Sequence, residues 1–177
     1  MSTSRPSTAR AAGIAVALGL VLTLGLSGCS ILSNFIGGTP ISRDDSGAAT
    51  EDNENADAFT ITVGDCLNDS SIVTTEMTEV ATVPLVTCDK PHDTEVISSV
   101  LVEDGEYPGD EGISARATDE CLAAFEDYIG FSYADSVYDY GYYLPTEESW
   151  AGGDREILCT VYDPAGPING TLEGAGV

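Results

Sequence analysis

The sequence predicts an α+β domain in which one helix packs on a face of a small, mostly antiparallel sheet stapled by two disulfides. Three observations support this fold class. Short segments of alternating apolar and polar residues indicate strands before and after one long amphipathic segment. Four cysteines are distributed over these elements, in addition to one near the N-terminus. A chain of 177 residues has room for one core of this kind.

Several segments have the period-two pattern of strands. In the first, Phe59, Ile61 and Val63 alternate with threonines. The predicted strands are Phe59–Val63, 79–86, 94–102, 137–144 and 155–162. Residues 145–155 are typical of a turn-rich loop, since they combine proline, glycine and short polar side chains.

One segment has the period of an amphipathic helix. Its apolar side chains recur at spacings of three and four residues and are Ile113, Ala117, Cys121, Ala124, Phe125 and Tyr128. Asp110 is expected to cap the N-terminus of this helix, and Gly130 to end it. Cys121 therefore points into the core.

Four cysteines are predicted to form two disulfides, because an even count in a small exported domain favours disulfides over a metal site. They are Cys66, Cys88, Cys121 and Cys159. Cys66 and Cys88 lie at the ends of neighbouring strands. If one face of strand 155–162 packs on the helix, Cys159 meets Cys121. The preferred pairing is Cys66 with Cys88 and Cys121 with Cys159, although four cysteines allow three pairings.

The first 28 residues have the features of a secretory signal peptide, with two arginines ahead of an apolar run that ends at Leu26. The motif Leu26–Cys29, Leu-Ser-Gly-Cys, resembles the lipobox of bacterial lipoproteins. That resemblance implies cleavage before Cys29 and acylation of the cysteine with chains such as palmitate. Two or more acyl chains anchor a protein stably, here on the extracytoplasmic face of the cell membrane. The alternative is an ordinary signal peptide in which Cys29 is incidental.

Composition divides the remainder of the chain into three parts. Residues 29–58 are predicted to be a lipidated, flexible and acidic linker, since few apolar residues follow Ile41. As a coil, this linker would reach at most about 95 Å from the membrane. Residues 59–163 are expected to form the folded domain, and residues 164–177 a coil tail.

The chain carries 30 acidic and 6 basic residues, for a formal charge of −24. Such a surface repels phosphate groups, which disfavours nucleic acid and direct docking on anionic lipid. The membrane would therefore be a partner through the lipid anchor alone.

Five motifs are spaced along the predicted domain. They are Val63-Gly64-Asp65-Cys66, Cys88-x-x-Pro91-His92-Asp93-x-Glu95, Gly105-x-Tyr107-Pro108-Gly109, Cys121-x-x-x-Phe125 and Pro145-Thr146-x-x-Ser149-Trp150-x-x-Gly153-Asp154-Arg155-x-x-x-Cys159. Together they resemble the septum formation domain of actinobacterial membrane proteins and lipoproteins, over about residues 59–163. The resemblance implies a cell-envelope domain linked to septum formation and supplies no enzymatic activity.

His92 is the one histidine, so acid-base chemistry at neutral pH would fall to it. With Asp93 and Ser149 a Ser/His/Asp arrangement can be drawn, but no G-x-S-x-G motif supports it. The favoured interpretation is structural, with the imidazole tying its loop to a nearby carbonyl or carboxylate. We predict no catalytic residue, no metal site and no cofactor.

A candidate interaction surface comprises His92, Asp93, Trp150, Asp154 and Arg155. Arg155 would pair with Asp154 or bind a partner's carboxylate. Trp150 and the nearby tyrosines would either stack on sugar rings or pack in the core. The sequence thus predicts a lipid-anchored, non-enzymatic domain that contacts an unknown envelope or division protein. A module that binds cell-wall glycan or peptide, including peptidoglycan, is the alternative, and an enzyme using His92 is a third reading.

Overall fold

The computed structural model describes residues 40–70 and 79–177. The predicted signal peptide and the predicted lipidation site Cys29 lie outside the described residues. The described elements are β1 (Asn53–Asp57), a 3-10 turn (Ala58–Thr60), β2 (Cys66–Leu67), β3 (Thr82–Val86), β4 (Thr94–Leu101), α1 (Gly109–Ile129), a second 3-10 turn (Tyr133–Asp135), β5 (Asp139–Tyr143), α2 (Glu147–Ala151) and β6 (Glu156–Tyr162). Neither helix in this part of the chain is long and apolar enough to cross a membrane.

The predicted fold class is confirmed. Six strands form one curled antiparallel sheet in the order β1-β3-β2-β4-β6-β5, and α1 packs on one of its faces. The alternation in β6 separates two cores. Ile157 and Cys159 pack with Cys121 of α1, whereas Leu158 joins a cluster on the opposite face with Leu67 of β2. The N-terminal segment contributes to that second cluster, with Ala49, Ala56 and Ile61 buried in it.

Helix α1 buries one side against the sheet and the tail. Ile113, Ala117, Cys121, Phe125 and Ile129 are all fully buried along one side of it. Removing an aliphatic or aromatic side chain of this size from water contributes about 1.5 to 3 kcal/mol. The helix ends as predicted at Gly130, whose φ of 74° is the left-handed conformation that glycine adopts without strain. The predicted cap is wrong by two residues, because Pro108 is the N-cap and Asp110 lies in the first turn.

Both predicted disulfides are confirmed. Cys66 bonds to Cys88 at the junction of β2 and β3, and Cys121 bonds to Cys159 between α1 and β6. The sequence separations are 22 and 38 residues. Loops of this length correspond to roughly 3 to 4 kcal/mol of stabilisation for each bond in the chain-entropy account.

The predicted strand Phe59–Val63 is wrong. Its first residues form a 3-10 turn, Ala58–Thr60, and the side chain of Asp57 accepts a hydrogen bond from the backbone N–H of Phe59. Local bonds of this kind give the backbone an alternative to a strand ladder. Only Ile61 of the three alternating apolar residues is buried, while Phe59 is 68% exposed.

The structure also differs from the predicted linker, because β1 lies within residues 29–58 and pairs with β3 at the edge of the sheet. Ala56 of β1 is fully buried and Ala49 is 4% exposed. Small side chains bury little area, but they let this polar segment lie close to the core. The segment is further held by Arg43, which pairs with the fully buried carboxylate of Asp65.

Two glycines allow the N-terminal segment to approach so closely. At Gly47 a Cβ would lie 2.7 Å from the carbonyl oxygen of Val63, and at Gly64 a Cβ would lie 2.9 Å from that of Ser46. Both glycines also have φ of 95°, a conformation that other residues rarely adopt.

Strands β3, β4, β5 and β6 form within the predicted ranges, whereas β2 was not predicted, and the C-terminal tail contains no helix or strand. The predicted loop 145–155 contains the short helix α2, which the capping box of Thr146 and Ser149 begins. The tail is nevertheless packed, since Ile168 and Leu172 are buried against Phe125 and Ile129 of α1.

Candidate functional site

The residues of the predicted interaction surface separate into two groups. His92 and Asp93 precede β4, whereas Trp150 belongs to α2, and Asp154 and Arg155 lie between α2 and β6. His92 is fully buried and Trp150 is 6% exposed. These five residues therefore do not form one continuous surface.

His92 is held on both sides of its ring. Its Nδ1 lies 2.8 Å from the carbonyl oxygen of Lys90, and its Nε2 lies 3.3 Å from Oε1 of Glu95. Its backbone exchanges two hydrogen bonds with Ile168 of the tail, of 2.7 and 3.1 Å. Because both ring nitrogens face acceptors, the geometry suits the doubly protonated imidazolium, which donates from both.

The charge state of His92 follows from this environment. Burial lowers its pKa, but the hydrogen bonds to Glu95 and to the Lys90 carbonyl, together with the charge of Glu95, raise the pKa above the ordinary 6.5. The attraction of the carboxylate thus outweighs the cost of removing the cation from water.

Glu95 is the centre of this buried cluster. It is 3% exposed and accepts hydrogen bonds from the Tyr128 hydroxyl at 2.7 Å and from the Leu172 N–H at 3.0 Å. Burial and the neighbouring Glu95 raise the pKa of Tyr128, which keeps that hydroxyl a donor. One carboxylate thus ties β4, α1 and the tail together, and His92 supplies its counter-charge.

The structure does not assemble a Ser/His/Asp arrangement. The Ser149 hydroxyl donates to Asp154 at 2.8 Å, while His92 is bonded to Glu95. Asp93 accepts a hydrogen bond from the Ser70 N–H at 3.1 Å instead of orienting the imidazole. The hydrogen bonds of Ser149, Asp154 and Asp93 therefore fix the conformation of loops. Within residues 40–70 and 79–177, no group of three or more His, Cys, Asp or Glu side chains is arranged to hold a metal ion.

Trp150 packs between two partners. Its Nε1 donates to the Gly105 carbonyl at 3.0 Å, its ring centroid lies 5.6 Å from that of Tyr107, and the guanidinium of Arg155 lies 3.9 Å above it. A cation in this position is attracted to the face of the indole. The indole is therefore covered, and the Arg155 side chain that covers it is itself only 19% exposed.

Arg155 and Asp154 do not form the predicted ion pair with each other. Nη1 of Arg155 donates to the backbone carbonyls of Trp150 and Asp154, at 2.8 and 2.6 Å. Its Nε lies 3.2 Å from Oδ1 of Asp104, although the geometry does not make a hydrogen bond. The Asp154 carboxylate accepts bonds from Ser149 and from the Glu156 N–H, and so fixes the turn between α2 and β6.

An open groove of about 470 Å³ lies beside this second group. It is lined by Phe59, Leu101, Ser149, Gly152, Gly153, Asp154, Arg155 and Glu156. Phe59 and Leu101 are 68% and 73% exposed. Sequence reasoning missed both as surface residues, because each occupies an apolar position of a predicted strand.

Glu95 belongs to one of the sequence motifs, but nothing in the sequence indicated that Glu95 is buried or that the tail packs on the domain. Glu95 stands in a strand pattern where an acidic residue is expected to face water, and Thr171 and Leu172 belong to a segment without periodicity. A His-x-x-Glu spacing is too common to identify a buried pair.

The fold and these contacts define a class of protein, a small disulfide-bonded α+β domain with an acidic surface and an open groove beside its longest strand. Comparison with known families identifies it further. Residues 51–173 match the family described as Septum formation. The match covers more than half of the chain and includes β1 and much of the tail, so the chain belongs to the Septum formation family. No protein of curated function and no solved structure matches it.

Proposed function

We propose that this protein is a lipid-anchored domain on the extracytoplasmic face of the cell membrane, where it contacts an envelope or division protein during septum formation. The family membership links the chain to septum formation. The motif at Leu26–Cys29 supports the anchor, and the two disulfides suit an oxidising compartment outside the cytoplasm.

The observation that supports an interaction role is that the residues capable of acid-base chemistry are already engaged in hydrogen bonds within the domain. His92 is fully buried with both ring nitrogens engaged, and Ser149 and Asp154 bond to each other. A groove with two exposed apolar side chains, Phe59 and Leu101, is accessible in the described part of the chain. Exposed apolar residues beside a groove are typical of a surface that meets another protein.

The glycan-binding alternative has less support, because the Trp150 ring is covered by Arg155 and Tyr107 and offers little face to a sugar. Retention of the purified protein on peptidoglycan sacculi, and loss of retention in Tyr142→Ala, would favour this alternative. Tyr142 is 37% exposed on β5.

The packing of the N-terminal segment sets how far the domain reaches from its anchor. Ile41 already packs on the core and Arg43 is paired with Asp65. Whatever conformation residues 30–40 adopt, a chain spans at most about 3.6 Å per residue, which is about 40 Å here. The proposed partner is therefore a protein that exposes its contact surface close to the bilayer.

The test is localisation of a tagged copy in dividing cells together with membrane fractionation. Wild type is compared with Cys29→Ala, which removes the proposed lipidation site, and with Ser30→Ala as the matched control. We expect septal enrichment and membrane association in wild type and Ser30→Ala, and loss of both in Cys29→Ala. An even distribution of the wild type around the cell would contradict the septal role, and membrane association of Cys29→Ala would contradict the anchor.

A further inference from the structure

Strand β4 has an open edge along its second half. One side of β4 pairs with β6 from Thr94 to Leu101. On the other side, β2 pairs with only the first two residues, and Asp65 and Gly64 extend that pairing to Val96 with bonds of 2.9 and 2.8 Å. Among the described residues, no backbone group pairs with residues 97–101 on this side. The exposed N–H and C=O groups of such an edge can accept another strand.

The open edge reaches the groove described above at its last residue, Leu101. Leu101 ends β4 and is 73% exposed, and Phe59, on the 3-10 turn that replaces the predicted strand, is 68% exposed. Both line the same groove, which continues across Gly152 and Gly153. An open strand edge with apolar side chains beside it is the geometry of recognition by strand addition, in which backbone bonds give affinity and alternate side chains give specificity.

Charge decides which kind of polypeptide fits. The described basic residues are all within ion-pair distance of a carboxylate, and they are Arg43, Lys90, Arg116 and Arg155. The chain carries 30 acidic residues, so the charge left without a partner on this part of the protein is negative. Glu103, Asp104 and Glu106 are exposed directly after β4. Glu156 lines the groove itself, and Glu103 follows Leu101 by two residues in the chain. A basic segment therefore complements the charge at this end of β4.

We propose that residues 97–101 of β4 and the groove beside them bind an extended, basic segment of a partner polypeptide. The backbone of the segment pairs with the open edge, and an apolar side chain lies between Phe59 and Leu101. Lysine or arginine side chains next to it face the carboxylates that follow β4. This inference rests on the proposed interaction function and identifies its surface.

The first test uses three labelled peptides and the full-length protein in a non-ionic detergent, with binding followed by fluorescence anisotropy. One peptide alternates valine and lysine over seven residues, the second has glutamate in place of lysine, and the third has the lysine sequence with alternate backbone nitrogens methylated. We expect the first to bind, and the other two to bind at least about tenfold more weakly. Equal binding of the first and third peptides would indicate attraction by charge alone and overturn the proposal.

Matched variants test whether the lysine peptide binds at the groove. Phe59→Ser and Leu101→Ser are expected to weaken binding of the lysine peptide about tenfold. Val137→Ser is the control, because Val137 is 65% exposed just before β5, at the other edge of the sheet. Binding that survives both groove variants, or that falls in Val137→Ser instead, would overturn the proposal.

Hydrogen exchange distinguishes a partner from another part of this chain. The amides of residues 97–101 that point away from β6 should exchange rapidly in the free protein and slowly with the lysine peptide. Slow exchange without peptide would mean that the chain itself covers the edge, which overturns the proposal. If the strand-edge proposal is wrong, the peptide does not bind at the edge but the wild type still localises to the septum. If the proposed function is wrong, the wild type does not localise to the septum although the peptide still binds.

Discussion

Nε2 of His92 lies 3.3 Å from Oε1 of Glu95, and the side chains of both residues are at least 96% buried. No other histidine exists in the chain. The pair connects the start of β4 to the tail, since Glu95 also bonds to the Leu172 N–H. A buried carboxylate with one titratable counter-charge makes the stability of this region depend on a single imidazole.

Replacing His92 by alanine should destabilise the protein by about 3 kcal/mol. The change leaves Glu95 buried without its counter-charge and creates a cavity, and each effect is costly. Urea denaturation at pH 6 measures the loss. The control is Lys90→Ala, which removes an exposed pair with Asp52 but keeps the carbonyl that His92 uses. A loss in His92→Ala no larger than that in the control would contradict the structural role.

The contribution of His92 to stability should fall as pH rises. Its pKa is raised in the folded protein, so the folded state binds the proton more tightly than the unfolded chain does. The contribution is therefore complete below about pH 6.5 and lost as pH rises through the folded pKa. The difference in unfolding free energy between wild type and His92→Gln, measured from pH 5.5 to 9, should shrink. A difference that grows with pH would show that His92 is neutral in the folded protein.

Truncating Leu172 should loosen the tail. The side chain is 7% exposed against α1, so Leu172→Ala should cost about 2 kcal/mol. We expect faster hydrogen exchange at Ile168 and Leu172, and protease cleavage within residues 164–177. Val177→Ala is the control, since Val177 is 49% exposed. Unchanged exchange in Leu172→Ala would mean that the His92 bridge alone holds the tail.

Removing Arg43 should detach the N-terminal segment. Arg43→Leu leaves the Asp65 carboxylate, which is fully buried, without its cation, and should cost about 3 kcal/mol. Residues 43–57 should then exchange their amides faster than β6 does. Arg116→Gln is the matched control, because it breaks an exposed pair with Glu120 and should cost less than about 0.5 kcal/mol. Similar losses in the two variants would contradict a buried pair.

Each disulfide should contribute roughly 3 to 4 kcal/mol. The double variant Cys121→Ala/Cys159→Ala should lose more free energy of unfolding than Cys66→Ala/Cys88→Ala. The Cys121–Cys159 loop is longer, and both of its cysteines are fully buried in the core. Urea denaturation compares the two variants. Peptide mapping without reduction should recover the two pairs, and a peptide linking Cys66 to Cys121 would contradict the fold.

The local sequence pattern was sufficient to predict an element and its buried face where the apolar residues followed one clear period. The spacing of Ile113, Ala117 and Cys121 predicted the buried side of α1, and alternation in β6 placed Cys159 opposite it. The pattern failed at Phe59, whose alternation suits a strand, because the bond from its N–H to Asp57 forms a turn instead. It failed again for β1, since Ala56 lies among polar residues and its burial depends on β3.

The candidate site was less predictable than the fold. Trp150 and Arg155 were identified from their chemistry, but their sequence did not reveal that one covers the other. The groove depends on Phe59 and Leu101, which are 42 residues apart in the numbering of the chain. The open edge of β4 next to the groove exists because β2, its neighbour in the sheet, is only two residues long.

The sequence by itself determined the α+β class and the helix and favoured the correct pairing of the cysteines, because these depend on periodicity and on the order of elements along the chain. Only the tertiary structure decided that Glu95 is buried with His92, that Arg43 pairs with Asp65 and that the tail packs on α1. The two ion pairs join charged side chains and the tail contributes isolated apolar residues, and none of these follows a local period. Their burial is favourable only once the curled sheet has excluded water around them.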